Sequence, residues 1–245
     1  LVLISDFCFL IFDFMPPYRH LFFDLDKTIY DFDASSRLTF EEIHEHFHLA
    51  QRGIPDLDLL IGKYTHINLK LWELYRNGGI QKELLNISRF DLALKEFGIH
   101  DWNMAAAIAS YYVSESPLKN TLFPGVETTL TYLKTKYSLY IITNGFEEVQ
   151  HKKLNINNLR PYFDDVITSE EAGCKKPDPA IFRYALQRTR AREEESLMIG
   201  DDLTVDIQGA REAGIDQVFV NYGRINHSEA VTFEVDSFTG LCGIL

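Results

Sequence analysis

The 245-residue sequence predicts an α/β protein, a doubly wound parallel sheet with an α-helical cap inserted after its first strand. Three observations carry this expectation. Short apolar runs ending in polar residues recur along the chain, amphipathic stretches separate the later runs, and one long helical block interrupts the alternation after the first run. Parallel strands buried on both faces read as continuous apolar runs, and strand–helix alternation covers such a sheet with helices on both sides.

Strands are expected at His20–Asp24, Leu139–Thr143, Asp165–Thr168, Leu197–Gly200 and Gln217–Val220, each short and rich in aliphatic or aromatic residues. Helices are expected at Gly125–Lys136, Glu147–Asn155, Pro179–Arg190 and Val205–Ala213. The last is stopped by Gly214, a residue suited to the left-handed position after a helix. From Asp31 to Ser114 the periodicity is helical: Ile43, Phe47 and Ala50; Leu69, Trp72 and Tyr75; Leu84, Ile87 and Phe90; then Ala105 to Tyr112. Four or five helices are expected there, separated at Gly53-Ile54-Pro55, Asn77-Gly78-Gly79 and Gly98. The expected division is a helical cap over 31–114 and a Rossmann-like core over 15–30 and 115–245. Residues 1–14 are expected to be an apolar extension that the fold does not require, the alternative being a peripheral membrane or partner contact. That extension lacks a basic residue before Arg19 and a small-residue cleavage site, and it is too short to span a bilayer.

Hydrophobic residues make up 46% of the chain and charged residues 24%, as in a globular protein, and the formal net charge is −12. With no Lys/Arg block, this balance argues against nucleic acid or an anionic membrane surface as the main partner. A small anionic ligand stays open, because one positioned lysine and a few backbone N–H groups suffice for a phosphate. Cys8, Cys174 and Cys242 are widely spaced and odd in number, so a zinc cluster or a disulfide framework is not expected and a reducing cytoplasm is. A monomer or a homodimer fits equally well.

Ligands of open parallel sheets sit beyond the carboxyl ends of the strands. Asp24 and Asp26 follow the first strand, Thr143 and Asn144 the second, Lys175 and Lys176 come after the third, and Asp201, Asp202 and Asp206 follow the fourth. Four such groups in order point to phosphate chemistry. A phosphate monoester repels a carboxylate nucleophile, so a divalent cation must neutralise charge, and Mg²⁺ prefers oxygen ligands. Asp24 and Asp201 can share the ion while Asp24 attacks phosphorus. Asp26 lies on the same face of the extended chain, placed to protonate the leaving oxygen and then deprotonate water. The Thr143 hydroxyl, backbone N–H groups and Lys176 would hold the transferring oxygens.

Asp24-Leu25-Asp26-Lys27-Thr28, Thr143-Asn144-Gly145, Lys176-Pro177-Asp178-Pro179 and Gly200-Asp201-Asp202-Leu203-Thr204-Val205-Asp206 resemble the four motifs of the haloacid dehalogenase (HAD) superfamily, and the resemblance extends over most of the chain from Met15. It implies a helical C1-type cap, Asp24 as nucleophile and Asp26 as acid/base whose backbone carbonyl binds metal. It further implies Asp201 as the third protein ligand and Asp206 as the carboxylate supporting the metal waters or Lys176. Thr28 reads as a structural donor or a catalytic group, Asn144 as a phosphate contact through its backbone N–H, and Asp202 as an additional possible ligand. Lys27 stands where the family often has Gly or Asp. The cap segment Ile67–Tyr75, with Gly78, Gly79, Ile80, Lys82, Glu83, Arg89 and Phe90, resembles the caps of house-cleaning pyrimidine 5′-nucleotidases, which implies a nucleotide substrate. Trp72 and Tyr75 at helical spacing are also what plain core packing requires.

Other readings remain at this level. A sugar-phosphate or phosphoglycolate-type phosphatase shares the machinery, as does a phosphomutase. A 2-haloacid dehalogenase would need neither Asp26 nor Asp201, and a silent binding protein would need none of the set. His44-Glu45-His46-Phe47-His48 matches H-E-x-x-H, which on a helix would put His44 and His48 on one face, but no third zinc ligand is evident. A solvated histidine-rich face is expected instead.

Overall fold

The computed structural model describes residues 18–245; the apolar segment 1–14 lies outside them. Six parallel strands form one sheet in the order β3-β2-β1-β4-β5-β6: β1 His20–Phe23, β2 Ser138–Thr143, β3 Asp165–Thr168, β4 Ser196–Gly200, β5 Asp216–Val220 and β6 Phe233–Val235. Every neighbouring pair is parallel. The alternation of side chains sorts the central strands into two cores. Leu21, Phe23, Leu139, Ile141, Leu197 and Ile199 pack on one face, with Leu130 and Leu133 of α5 (Val126–Lys134) and Leu154 of α6 (Glu147–Ile156). Phe22, Tyr140, Ile142 and Met198 pack on the other, with Ile181, Phe182 and Ala185 of α8 (Pro179–Thr189) and Ala210 of α9 (Gly209–Glu212). Truncating one of these buried Leu, Ile, Met or Phe side chains to Ala would cost about 2–5 kcal/mol.

The block after β1 folds as four helices: α1 Phe32–His46, α2 Leu57–Arg76, α3 Lys82–Lys95 and α4 Trp102–Glu115. Asp31, Asp56 and Asp101 each accept a hydrogen bond from a first-turn N–H, which fixes where α1, α2 and α4 begin. These helices enclose their own core, in which the rings of Phe40, Tyr64, Phe90 and Tyr112 meet. A separate apolar cluster joins this bundle to the sheet layer, with Leu71, Tyr75 and Leu85 against Phe146. The two chain crossings run side by side. The Tyr30 hydroxyl lies 2.8 Å from Ser35 Oγ, 2.9 Å from the Ser116 carbonyl and 2.7 Å from the Lys119 carbonyl, stitching entry to exit. No helix of the described residues is long and apolar enough to cross a membrane.

Three local differences from the sequence reading have physical causes. Strand β6 has three residues with Glu234 at its centre, too short and too polar to stand out as an apolar run. The helical segment after β4 opens at Leu203, because Asp202 accepts from Thr204 N and Val205 N, both at 2.9 Å. It runs as a π-helical turn to Gln208 before α9 (following the short α7, Ser169–Ala172, and α8). His48 lies beyond the end of α1 with φ +51°, and His44 Nε2 sits 2.8 Å from the Ile54 carbonyl. The two histidines therefore share no helix face, and the zinc-protease geometry is absent.

Candidate active site

With β2 on one side of β1 and β4 on the other, the connections after β1 and β4 leave in opposite directions and open a crevice at the carboxyl ends of the central strands. Asp24 directly follows β1, and its N–H donates to the Ile199 carbonyl of β4 at 2.9 Å, so its backbone continues the ladder to the crevice floor. Its Oδ1 accepts from Lys176 Nζ at 2.6 Å, and the same ammonium donates to Asp206 Oδ1 at 2.6 Å. Lys176 is 1% exposed. Burial opposes its charge, but Asp206 and Asp24 outweigh that and hold the ammonium above the usual lysine range. Asp206 also accepts from Asp202 N–H at 3.2 Å through Oδ2, so both of its oxygens serve the protein. A Cβ on Gly200 would stand 2.4 Å from that carboxylate, so the close approach of Asp206 over the end of β4 requires glycine there.

Asp201 is oriented by Thr28, whose hydroxyl donates to its Oδ1 at 3.1 Å, and Tyr222 in turn donates to the Thr28 carbonyl at 2.8 Å. Burial pushes the Asp201 carboxyl up to about 8, reinforced by the charges of Asp24 and Asp206 and opposed by Thr28. Burial likewise lifts Asp24 to about 7, partly offset by Lys176. Asp206 is also raised, by burial against the pull of Lys176. The cause is simple: three carboxyl groups crowd together in a water-poor floor, and the one ammonium there pairs with Asp24 and Asp206. Oxygens of Asp24, Asp201 and Asp206 come within 4.8 Å of one another. This donor set of hard oxygens carrying surplus negative charge fits a metal cation. Asp24 and Asp201 each have one oxygen outside the protein's own hydrogen bonds among the described residues, whereas Asp206 is committed to Lys176 and Asp202.

The remaining motif residues sort by what they touch. Thr143 is buried and its Oγ accepts from Gly145 N–H at 3.1 Å and from Gln150 Nε2 at 2.9 Å, which leaves its own hydrogen to donate outward. The Asn144 carboxamide is engaged twice with the Lys176 backbone, donating to its carbonyl at 2.8 Å and accepting from its N–H at 2.9 Å. It therefore positions Lys176 and is not free to meet a ligand. Asp202 is an exposed helix cap, with no place in the carboxylate cluster. Lys27 adopts φ +68°, a conformation that favours glycine, and its ammonium pairs with Asp33 at 2.9 Å. Lys175 places its ammonium 4.4 Å from the Tyr75 ring of the helical bundle.

Two residues escaped the sequence reading. Asp26 forms an ion pair with Lys153 and accepts from Gln150 Nε2 at 2.8 Å. Gln150 thus bridges Asp26 and Thr143, and a Cβ on Gly145 would stand 1.7 Å from its amide nitrogen, which explains the glycine after Asn144. Lys153 is 3% exposed, with its ammonium 4.7 Å from the Tyr30 ring centre. The signal was present as helix phase. Phe146, Gln150, Lys153, Leu154 and Asn157 fall on one buried stripe, and three of them are polar groups that a solvated helix face would not bury.

Above the floor lies a cavity of about 340 Å³, walled by Asn68, Trp72 and Arg76 of α2, Arg89 of α3 and Phe32 at the start of α1. The model of the haloacid dehalogenase-like hydrolase family matches residues 21–220. The chain belongs to this family. It is 32% identical to the putative HAD-hydrolase YfnB of Bacillus subtilis over 84% of this chain and 86% of that protein. A crystal structure of YfnB bound to magnesium superposes with a TM-score of 0.83 at 31% identity, covering 93% of this chain and 98% of that one. The pyrimidine 5′-nucleotidase PynA of Streptococcus pneumoniae is 32% identical over 93% of this chain and 95% of its own. A glyceraldehyde 3-phosphate phosphatase of Pyrococcus furiosus is also 32% identical, over 83% and 81%. A 2-haloacid dehalogenase from Pseudomonas syringae, with a TM-score of 0.65 at 23% identity, shares the fold. This HAD-family chain is thus a hydrolase with an acidic, metal-compatible floor.

Proposed function

We propose that this hydrolase is a Mg²⁺-dependent phosphomonoesterase acting through an aspartyl-phosphate on Asp24, with nucleoside 5′-monophosphates as its substrates. The observation that carries the reading is the buried Asp24–Lys176–Asp206 chain beside Asp201, at the floor of a cavity large enough for a metabolite. Magnesium, held by Asp24, Asp201 and the backbone carbonyl of Asp26, supplies charge neutralisation for the phosphate and the attacking carboxylate. The free oxygen of Asp24 attacks phosphorus while the bond from phosphorus to the leaving oxygen breaks. Asp26 gives that oxygen its proton, then takes one from the water that attacks the aspartyl-phosphate and restores Asp24. Lys176, the Thr143 hydroxyl and backbone N–H groups after β2 bind the equatorial oxygens. Gln150 and Lys153 keep Asp26 oriented beside Thr143. The domain reading gains support from the separate core of the helical bundle, which serves as a lid over the floor.

The nucleotide class is supported by the near full-length similarity to PynA and by the aromatic side chains of Trp72 and Phe32 in the cavity lining. A second reading, a triose-phosphate phosphatase, is favoured by the equally identical Pyrococcus relative. The first experiment is phosphate release from p-nitrophenyl phosphate with and without Mg²⁺, in wild type and Asp24→Asn. Folded wild type that releases no phosphate from any monoester removes the phosphatase reading. A panel of dUMP, dTMP and UMP against glyceraldehyde 3-phosphate and hexose phosphates separates the substrate classes, and equal or better turnover of the sugar phosphates removes the nucleotidase reading.

A further inference from the structure

We infer that Asn68 reads the leaving group, selecting a ring with an imide edge (an N–H beside a C=O, as in a uracil-type base); this rests on the nucleotidase reading above. Asn68 sits on α2, is 8% exposed, and borders the cavity that Asp24 and Lys176 floor. Its Oδ1 is buried and finds no hydrogen-bond partner among the described residues. Burying an acceptor unpaired is costly, and native interiors rarely tolerate it without a missing partner that arrives from outside. A carboxamide offers one acceptor and a pair of donors in a single plane. That is the complement of an imide edge, which needs one acceptor for its N–H and one donor for its carbonyl.

The surroundings suit a flat heterocycle. Trp72 stands one helical turn after Asn68 and so shares its face of α2, which puts an indole beside the carboxamide. Arg89 enters the same cavity from α3, is 4% exposed, and is fixed by the Asn86 side chain at 2.6 Å and by stacking over Phe90 and Tyr112, each at 5.1 Å. A fixed guanidinium at a wall with no carboxylate of its own favours carbonyl oxygens over cationic groups. A triose or hexose phosphate would bring hydroxyls without a planar donor–acceptor pair and would leave the indole face unused.

The test compares dUMP with its N3-methylated analogue, which lacks the imide hydrogen, in wild type, Asn68→Ala and the near-isosteric Asn68→Leu, each loaded with Mg²⁺. Wild type should favour dUMP by about tenfold or more in kcat/KM, the scale of leaving one buried polar group unpaired. Both variants should level the two substrates, and turnover of p-nitrophenyl phosphate, whose ring has no imide, should fall far less than that of dUMP. Variants that keep the dUMP preference, or that lose all three substrates in proportion, overturn the inference and leave Asn68 a packing residue. So does a wild type that turns over both nucleotides alike while preferring them to glyceraldehyde 3-phosphate. A wild type that hydrolyses glyceraldehyde 3-phosphate as well as dUMP defeats the nucleotidase reading itself, and the inference falls with it.

Discussion

The floor and the wall of the cavity solve opposite physical problems. The floor is built from loops at strand ends, and its charged groups satisfy one another: Lys176 bridges Asp24 and Asp206, Thr28 holds Asp201, and Lys153 with Gln150 holds Asp26. What it leaves open is negative charge without a full countercharge. The wall is built from helix faces, and what Asn68 leaves open there is a neutral hydrogen-bond acceptor. A charged deficit calls for a cation and a phosphate; a neutral one calls for a polar edge of matching shape. On the proposed reading the two regions divide the work, with bond breaking below and choice of leaving group above. Damage to the floor should affect every ester alike, and damage to the wall should change the ranking of esters.

The largest effect expected is for Asp24→Asn, which should lower kcat on the order of 10⁴-fold or more on any substrate, as loss of a nucleophile does. Asp26→Asn should cost about 10²–10⁴-fold in kcat, the usual share of acid–base catalysis. Mg²⁺ affinity, measured by calorimetry, should change far less than in Asp201→Ala, because the backbone carbonyl at position 26 remains. An equal fall in affinity would contradict that division of roles. Next in size, Lys153→Met should lower kcat about tenfold, within the range seen when a supporting residue of a catalytic group is removed. KM should be nearly constant and Lys153→Arg should restore most of the rate; a loss carried by KM would move Lys153 from the floor's chemistry to the wall's binding.

The charge surplus of the floor has a signature in stability. Asp24 and Asp201 are held at about 7 and about 8, above the ordinary carboxylate value of the unfolded chain. The folded protein therefore keeps protons that the unfolded chain has released, and unfolding free energy must fall as pH rises from about 5 to 8 in the absence of metal. Thermal melting in chelator should show this decline, Asp201→Asn should flatten it, and Mg²⁺ should oppose it. A melting temperature that rises through the same window would contradict the charge account. The smallest effect belongs to the rim. Lys82 of α3 reaches Glu148 at 2.8 Å and Glu170 at 2.9 Å, joining bundle to core, yet it is part-exposed. Lys82→Ala should change stability by about 1 kcal/mol or less, and a collapse of activity would show that the lid depends on this link.

Legibility in the sequence followed the same divide. The five longer strands, the helices around them and the breaks at Gly53, Gly78 and Gly98 could be read because apolar runs and turn residues act locally. The strand-end acids and Lys176 were legible because a parallel sheet collects its loops at one edge. Gln150 and Lys153 were not singled out, since polar residues on a helix read as solvated until the packing stripe is traced. Asn144 reads from the sequence as a contact through its backbone N–H with a side chain that holds the loop, and the carboxamide braces Lys176 thirty-two positions away, a partner that local sequence does not name. Asp202 reads from the sequence as an additional possible ligand, and its Oδ1 caps the following helical turn, the local role its position favours. Asn68 could not be told from ordinary helix surface, because an unpaired oxygen exists only once α2 is packed.

The central claim is that Asp24 accepts the phosphoryl group, and it can be observed directly. Asp26→Asn should slow hydrolysis of the acyl-phosphate, so this variant can be mixed with Mg²⁺ and a labelled phosphate ester, quenched in acid within the first turnover, reduced with borohydride and mapped by peptide mass spectrometry. The account predicts label before quench and reductive modification at Asp24, both absent in the Asp24→Asn/Asp26→Asn double variant. Phosphate release with no labelled protein at any time, or modification at another carboxylate, would contradict it.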